Sequence, residues 1–100
     1  YFRFVDQCRE AGIEVPIIPG LKPISSFQDI NLIPRAFHID IPYELCLEVE
    51  KCETKSQVRQ VGVEWTTRQA IELKQYGVPA LHFFTLGQSD NIRQIASRVF

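Results

Sequence analysis

Between Tyr1 and Ala11 the apolar residues Phe2, Val5 and Cys8 recur every third position, with Arg3, Asp6, Arg9 and Glu10 between them. That spacing predicts an amphipathic helix, and Gly12 follows where a left-handed C-cap is wanted. The next run, VPIIPG at 15–20, shows no polar alternation and carries a proline near each end. It predicts a strand over about 14–19, buried on both faces of a parallel sheet. Ser25 and Gln28 have capping-box spacing and open a short helix towards Ile33, which Pro34 should end.

The middle of the chain is less regular. FHIDIP (37–42) reads as a connection, with Pro42 suited to the first turn of a helix that runs to about Glu50. Thr54 and Gln57 offer a second capping box. Val58, Val61, Trp65, Ala70 and Leu73 then mark a long helix to Tyr76 whose apolar stripe drifts. Gly62 inside it is unfavourable on propensity, so close packing against a neighbour is expected there. Gly77 ends this helix as Gly12 ended the first. VPALHFFTL (78–86) predicts a second buried strand over about 79–85, and the turn at 87–90 offers Ser89 as N-cap. Ile92, Ile95, Ala96 and Val99 form a closing helical face.

Helix, glycine, Val-Pro, strand, polar turn and helix thus occur twice, which predicts α/β architecture with parallel strands. Two strands alone do not make a stable sheet core. The missing strands are expected outside these residues, or from copies of the chain that associate. The start in mid-helix and the absence of methionine among 100 residues fit a piece of a longer protein.

Composition narrows the function classes. A net charge of -1 lacks the basic stripe of an electrostatic nucleic-acid binder, and apolar runs stop far short of a membrane-spanning helix. Cys8, Cys46 and Cys52 are an odd number without framework spacing, so free thiols in a reducing cytoplasm are expected. His38, Cys46 and Cys52 match no compact zinc pattern and lack a fourth ligand, so no metal is expected.

In α/β folds ligands gather at the carboxyl ends of parallel strands. The loops to search are therefore Pro19–Gln28 and Thr85–Asn91, the second with a glycine that permits close backbone approach. An anion could bind at the following helix N-terminus, although no glycine-rich phosphate motif is present. His82 is expected as a satisfied core imidazole, and His38 beside Asp40 as a loop residue. Glu48, Glu50 and Glu53 read as a solvated acidic face, and Trp65, Phe83 and Phe84 as core.

CREAGIEVPIIPGLKPIS followed at a distance by VPALHFFTLGQSD resembles the C-terminal part of methylenetetrahydrofolate reductases, and the likeness extends over FHIDIP, the VRQVGVEW helix and the closing helix. The resemblance implies an eight-stranded β/α (TIM) barrel carrying FAD. Its members reduce 5,10-methylenetetrahydrofolate to 5-methyltetrahydrofolate, a step of one-carbon metabolism and methionine biosynthesis. They do so with NADH or NADPH, by ping-pong hydride transfer through the flavin. Residues 1–100 would then be the C-terminal part of one barrel domain, helix six through helix eight, with VPIIPG as strand seven, VPALHFF as strand eight and no second domain. Catalytic and flavin-binding residues would lie upstream, leaving this piece inactive alone.

The resemblance carries substrate contacts over unevenly. A glutamine that often follows PGI-x-P by six residues falls on Asp29, with Gln28 one place earlier; Gln28 takes the role only if the loop shifts by one. A phenylalanine that some members stack on substrate falls near Ile33. HFYTLNR becomes HFFTLGQ, so Leu86 matches, Phe84 lacks the hydroxyl and Gln88 replaces an arginine. Gln28, Asp29, Ile33, Leu86 and Gln88 are the expected substrate-side residues. Methylenetetrahydrofolate and NAD(P)H would be the ligands, and the parent a homo-oligomer or the fragment self-associating. Two other readings stand beside this one: a different β/α-barrel enzyme, and a stand-alone association module without activity.

Overall fold

A computed structural model describes residues 1–100 as α1 (Phe2–Glu10), β1 (Gly20–Leu21), α2 (Asp29–Phe37), α3 (Tyr43–Glu50), α4 (Lys55–Tyr76), β2 (His82–Phe83) and α5 (Asp90–Val99). The two strands pair in parallel, with Gly20 opposite His82 and Leu21 opposite Phe83. The ladder is carried by His82 N–H donating to Pro19 O at 3.0 Å and Phe84 N–H donating to Leu21 O at 2.9 Å.

The first strand starts after the range 14–19 that the apolar run predicts, and the run is not buried on both faces. Val15 and Ile18 are exposed. Pro16 and Pro19 have no N–H to give a ladder, so the segment's carbonyls find side-chain donors on and beside α1 instead. Arg9 Nη1 donates to Ile13 O at 2.7 Å and to Val15 O at 3.0 Å, and the Tyr1 hydroxyl donates to Ile17 O at 2.8 Å. The second strand falls inside its expected range but is only two residues long.

Pro34 lies within α2 instead of ending it. The proline removes one helix donor and crowds the carbonyl of Ile30. Burial of Ile33 among Ile24, Leu45, Val49 and Val58 outweighs that, and α2 continues to Phe37 before His38 closes it at φ 53°. Its start also differs from expectation. Ser25 and Gln28 form no capping box; Asp29 Oδ2 accepts from Ser25 N (2.8 Å), Ser25 Oγ (3.1 Å) and Ser26 N (3.2 Å).

The long helix behaves as its sequence predicts. Thr54 and Gln57 make a reciprocal capping box, and Gly77 closes α4 at φ 93°. Its drifting stripe has a cause: α4 is packed on two sides. Val58 joins the cluster with Ile24 and α3, with Val61 and Trp65 packed against it, while Val63 and Ala70 join Ile95 and Val99 of α5. Gly62 lies against the backbone of Ile24, where a Cβ would overlap the carbonyl. Pro42 stands just before α3, as its N-cap. Ser89 occupies the N-cap position of α5 without a side-chain cap bond.

Leu21, Leu81 and Phe83 pack on the α4–α5 cluster. The opposite face of the strand pair, carrying Gly20, His82 and Phe84, is bare. His82 is exposed, not a core imidazole, and Phe84 is 42% exposed, not core. The reason is the period of two: pairing that turns Leu21 and Phe83 inward turns Gly20, His82 and Phe84 outward. The radius of gyration, 14.5 Å, exceeds the roughly 13 Å of a finished domain of this length. No helix is long and apolar enough to cross a membrane.

Candidate functional site

The parallel register brings the two strand-end loops together although their sequence positions are far apart. Beyond Leu21 the chain runs through Lys22 and Pro23 to the turn at Ser25–Ser26; beyond Phe83 it runs through Thr85 to Asn91. Between these loops and the first turns of α4 lies a polar cleft of about 550 Å³, bordered by Lys22, Asp29, Lys55, Arg59, Leu86 and Gln88 among others. A second, mostly apolar cleft of about 400 Å³ adjoins it, with Ile33, Phe37, Leu45 and Trp65 in its wall. Lys22 and Phe84 border both. The Phe84 ring lies over Gly20, where an added Cβ would meet Cε2 at 2.5 Å, and stands edge-on to His82 at 4.6 Å.

Of the five residues singled out in the sequence, Asp29, Leu86 and Gln88 border the polar cleft. Ile33, 5% exposed, lies under the apolar one. Gln28 borders neither; its carbonyl accepts from Asn31 N and Leu32 N and starts α2. Asp29 is the polar cleft's sole carboxylate, and its Oδ2 is already engaged. Its Oδ2 takes the three serine donors above and sits 3.8 Å from Lys22 Nζ. It therefore fixes the loop after β1 and neutralises Lys22.

The second loop is a tight turn closed by Gln88 N–H donating to Thr85 O at 2.9 Å. Both central residues are left-handed, Leu86 at φ 47° and Gly87 at φ 84°. Glycine adopts this freely, whereas a leucine there costs about 1–2 kcal/mol. The turn holds Leu86 outward, 69% exposed, on the rim of the cleft.

Lys55 and Arg59 border the polar cleft without having been singled out, and Trp65, expected as core, borders the apolar one. The signal for the first two was present, since α4 has no acidic residue in its first turn and begins with a lysine, against the preference of the helix dipole. Trp65 Nε1 is buried without a partner, while the Arg68 guanidinium lies 5.1 Å from its ring. His38, Cys46 and Cys52 do not converge, and no group of three metal-ligating side chains forms anywhere in the chain. All three cysteines are free.

Parallel strands followed by helices, with a polar cleft at their carboxyl ends, define an α/β segment whose cleft lies where such folds gather ligands. Residues 1–99 match the family described as methylenetetrahydrofolate reductase, and the chain belongs to that family. It is 33% identical over 91 residues to the 5,10-methylenetetrahydrofolate reductase of Salmonella typhimurium, covering 90% of this chain and 31% of that protein. It is 32% identical over 95 residues to a probable methylenetetrahydrofolate reductase (NADPH) of Caenorhabditis elegans, covering 93% of this chain and 14% of that protein. A methylenetetrahydrofolate reductase (NADH) of Arabidopsis thaliana is 30% identical over 87 residues, 86% of this chain and 15% of that protein. The chain thus spans less than a third of the length of these relatives.

Proposed function

We propose that these residues are the helix-six to helix-eight portion of an eight-stranded β/α barrel. The whole barrel would reduce 5,10-methylenetetrahydrofolate to 5-methyltetrahydrofolate with NAD(P)H by a ping-pong route through FAD. The observation that carries this reading is the one-sided strand pair. Parallel sheets are covered on both faces, yet here helices cover only the Leu21–Phe83 face. In a β/α barrel the other face fills the interior, which gives Gly20, His82 and Phe84 their place.

In this reading the chain supplies wall, not chemistry. Gln88 offers an amide donor and acceptor to the folate, Leu86 and Phe84 offer apolar contact to its rings, and Asp29 holds the opposite loop in position. Neither strand-end turn has the glycine-rich run of a Rossmann dinucleotide site, and no flavin contact is assigned to these residues. FAD belongs to the parent's other strands, and no step through it is assigned to these residues. Inactivity of the isolated chain and a cytoplasmic setting, in keeping with three free thiols, are parts of the same proposal.

Stopped-flow half-reactions on the full-length protein test it. NAD(P)H should bleach the bound flavin, and methylenetetrahydrofolate should restore its colour. A reduced flavin that methylenetetrahydrofolate leaves reduced overturns the reading.

A further inference from the structure

The polar cleft carries an uncompensated positive charge. The chain contains two ion pairs, Lys22 with Asp29 and Lys51 with Glu48. Lys22 is thereby neutralised, and Lys55 and Arg59 border the cleft with no carboxylate within ion-pair distance. They stand four residues apart on α4, so they share one helical face. The amino end of α4 adds the partial positive charge of its dipole. Lys55 in the first turn works against that dipole.

A second observation comes from the other wall. Asn91 is 4% exposed and borders the same cleft. Its Oδ1 is engaged, accepting from Ile92 N at 3.0 Å, which orients the carboxamide. The Nδ2 group makes no bond within the chain and is left as a donor. Two free cations and an oriented, solvent-accessible amide donor border a space that holds no free anion. That is the chemistry of oxyanion recognition.

We propose that Lys55, Arg59 and Asn91 Nδ2 form an oxyanion subsite that receives the charged arm of a substrate. The proposal rests on the folate-reductase reading. A folate ends in a glutamate with two carboxylates, and a nicotinamide nucleotide carries a pyrophosphate; either arm has the required chemistry.

The test uses the full-length protein and the KM values for methylenetetrahydrofolate and for NAD(P)H. Arg59→Gln and Lys55→Gln should each raise one of the two by about threefold to fivefold, the range of a partly exposed charge pair. The double variant should raise it further and flatten its dependence on ionic strength, because screening then has less to remove. Arg59→Lys, which keeps the charge, should hold the KM close to wild type. Lys51→Gln, which removes the same charge away from the cleft, should leave both values unchanged. A rise confined to the folate assigns the subsite to its carboxylates, and a rise confined to the nucleotide assigns it to the pyrophosphate. Wild-type values for both ligands in the double variant overturn the subsite while leaving the reductase reading intact. A protein without folate-dependent flavin reoxidation overturns both.

Discussion

Gly62 of α4 lies directly against the carbonyl oxygen of Ile24, so that any side chain at position 62 would overlap backbone. This contact seats the loop after β1 on the long helix and sets the height of one wall of the cleft. Gly62→Ala therefore sets two effects against each other. Helix propensity favours alanine by about 1 kcal/mol, whereas forcing a methyl into a packed site costs about 1–3 kcal/mol, most where the neighbour cannot rotate away. A carbonyl cannot. The variant should lower the thermal midpoint of the full-length protein, and an equal or higher midpoint would contradict the contact.

Leu86 gives the opposite balance. Replacing it with glycine removes the left-handed strain of the turn, about 1–2 kcal/mol, and adds backbone freedom to the unfolded chain, about 0.5–1 kcal/mol. Leu86→Gly should melt no earlier than wild type. If the exposed side chain serves as an apolar wall for the folate, the same variant should raise the KM for methylenetetrahydrofolate severalfold. Loss of stability without loss of affinity would show that the leucine is structural.

Gln28 and Gln88 separate by position. Gln88 borders the polar cleft and Gln28 does not. Loss of one neutral hydrogen bond is worth about 0.5–1.5 kcal/mol, so Gln88→Ala should weaken folate binding by about twofold to tenfold. Gln28→Ala should have no effect. The measurement is folate-dependent flavin reoxidation at varied folate concentration, and an effect of Gln28→Ala as large as that of Gln88→Ala would undo the placement.

The isolated chain presents Phe84, Phe37 and Ile18 to solvent and leaves the outer edge of each strand unpaired. Such edges and apolar surface associate. Sedimentation of residues 1–100 alone should give self-associated or poorly folded material. A single, well-folded monomer would instead favour an independent module.

Much of the helical framework was legible because its signals are local. Thr54 with Gln57, and Gly77, each follow from a few neighbouring residues. The strands were legible as α/β punctuation but not in their extent, since pairing depends on which prolines lack a donor and which partner strand is at hand. Pro34 inside α2 was not legible, because burial of Ile33 acts from outside the helix. Asp29 was read as a substrate-side residue; it borders the cleft, and the sequence did not show that its Oδ2 also caps Ser25 and Ser26. Lys55 and Arg59 escaped attention because helical periodicity sorts them simply as solvent-facing; only the return of β2 alongside β1 puts a loop across from them.

That return has a consequence for how the site comes into being. Positions 20 and 82 are separated by three helices, whose contacts are short-range and form quickly, while the ladder between them is a long-range closure and therefore slow. The cleft is completed last: α4 and the loop seated on it form one side, and the other appears only when Phe84 reaches Leu21. During synthesis the Lys55–Arg59 face must therefore wait, charged and open, until the second strand has been made.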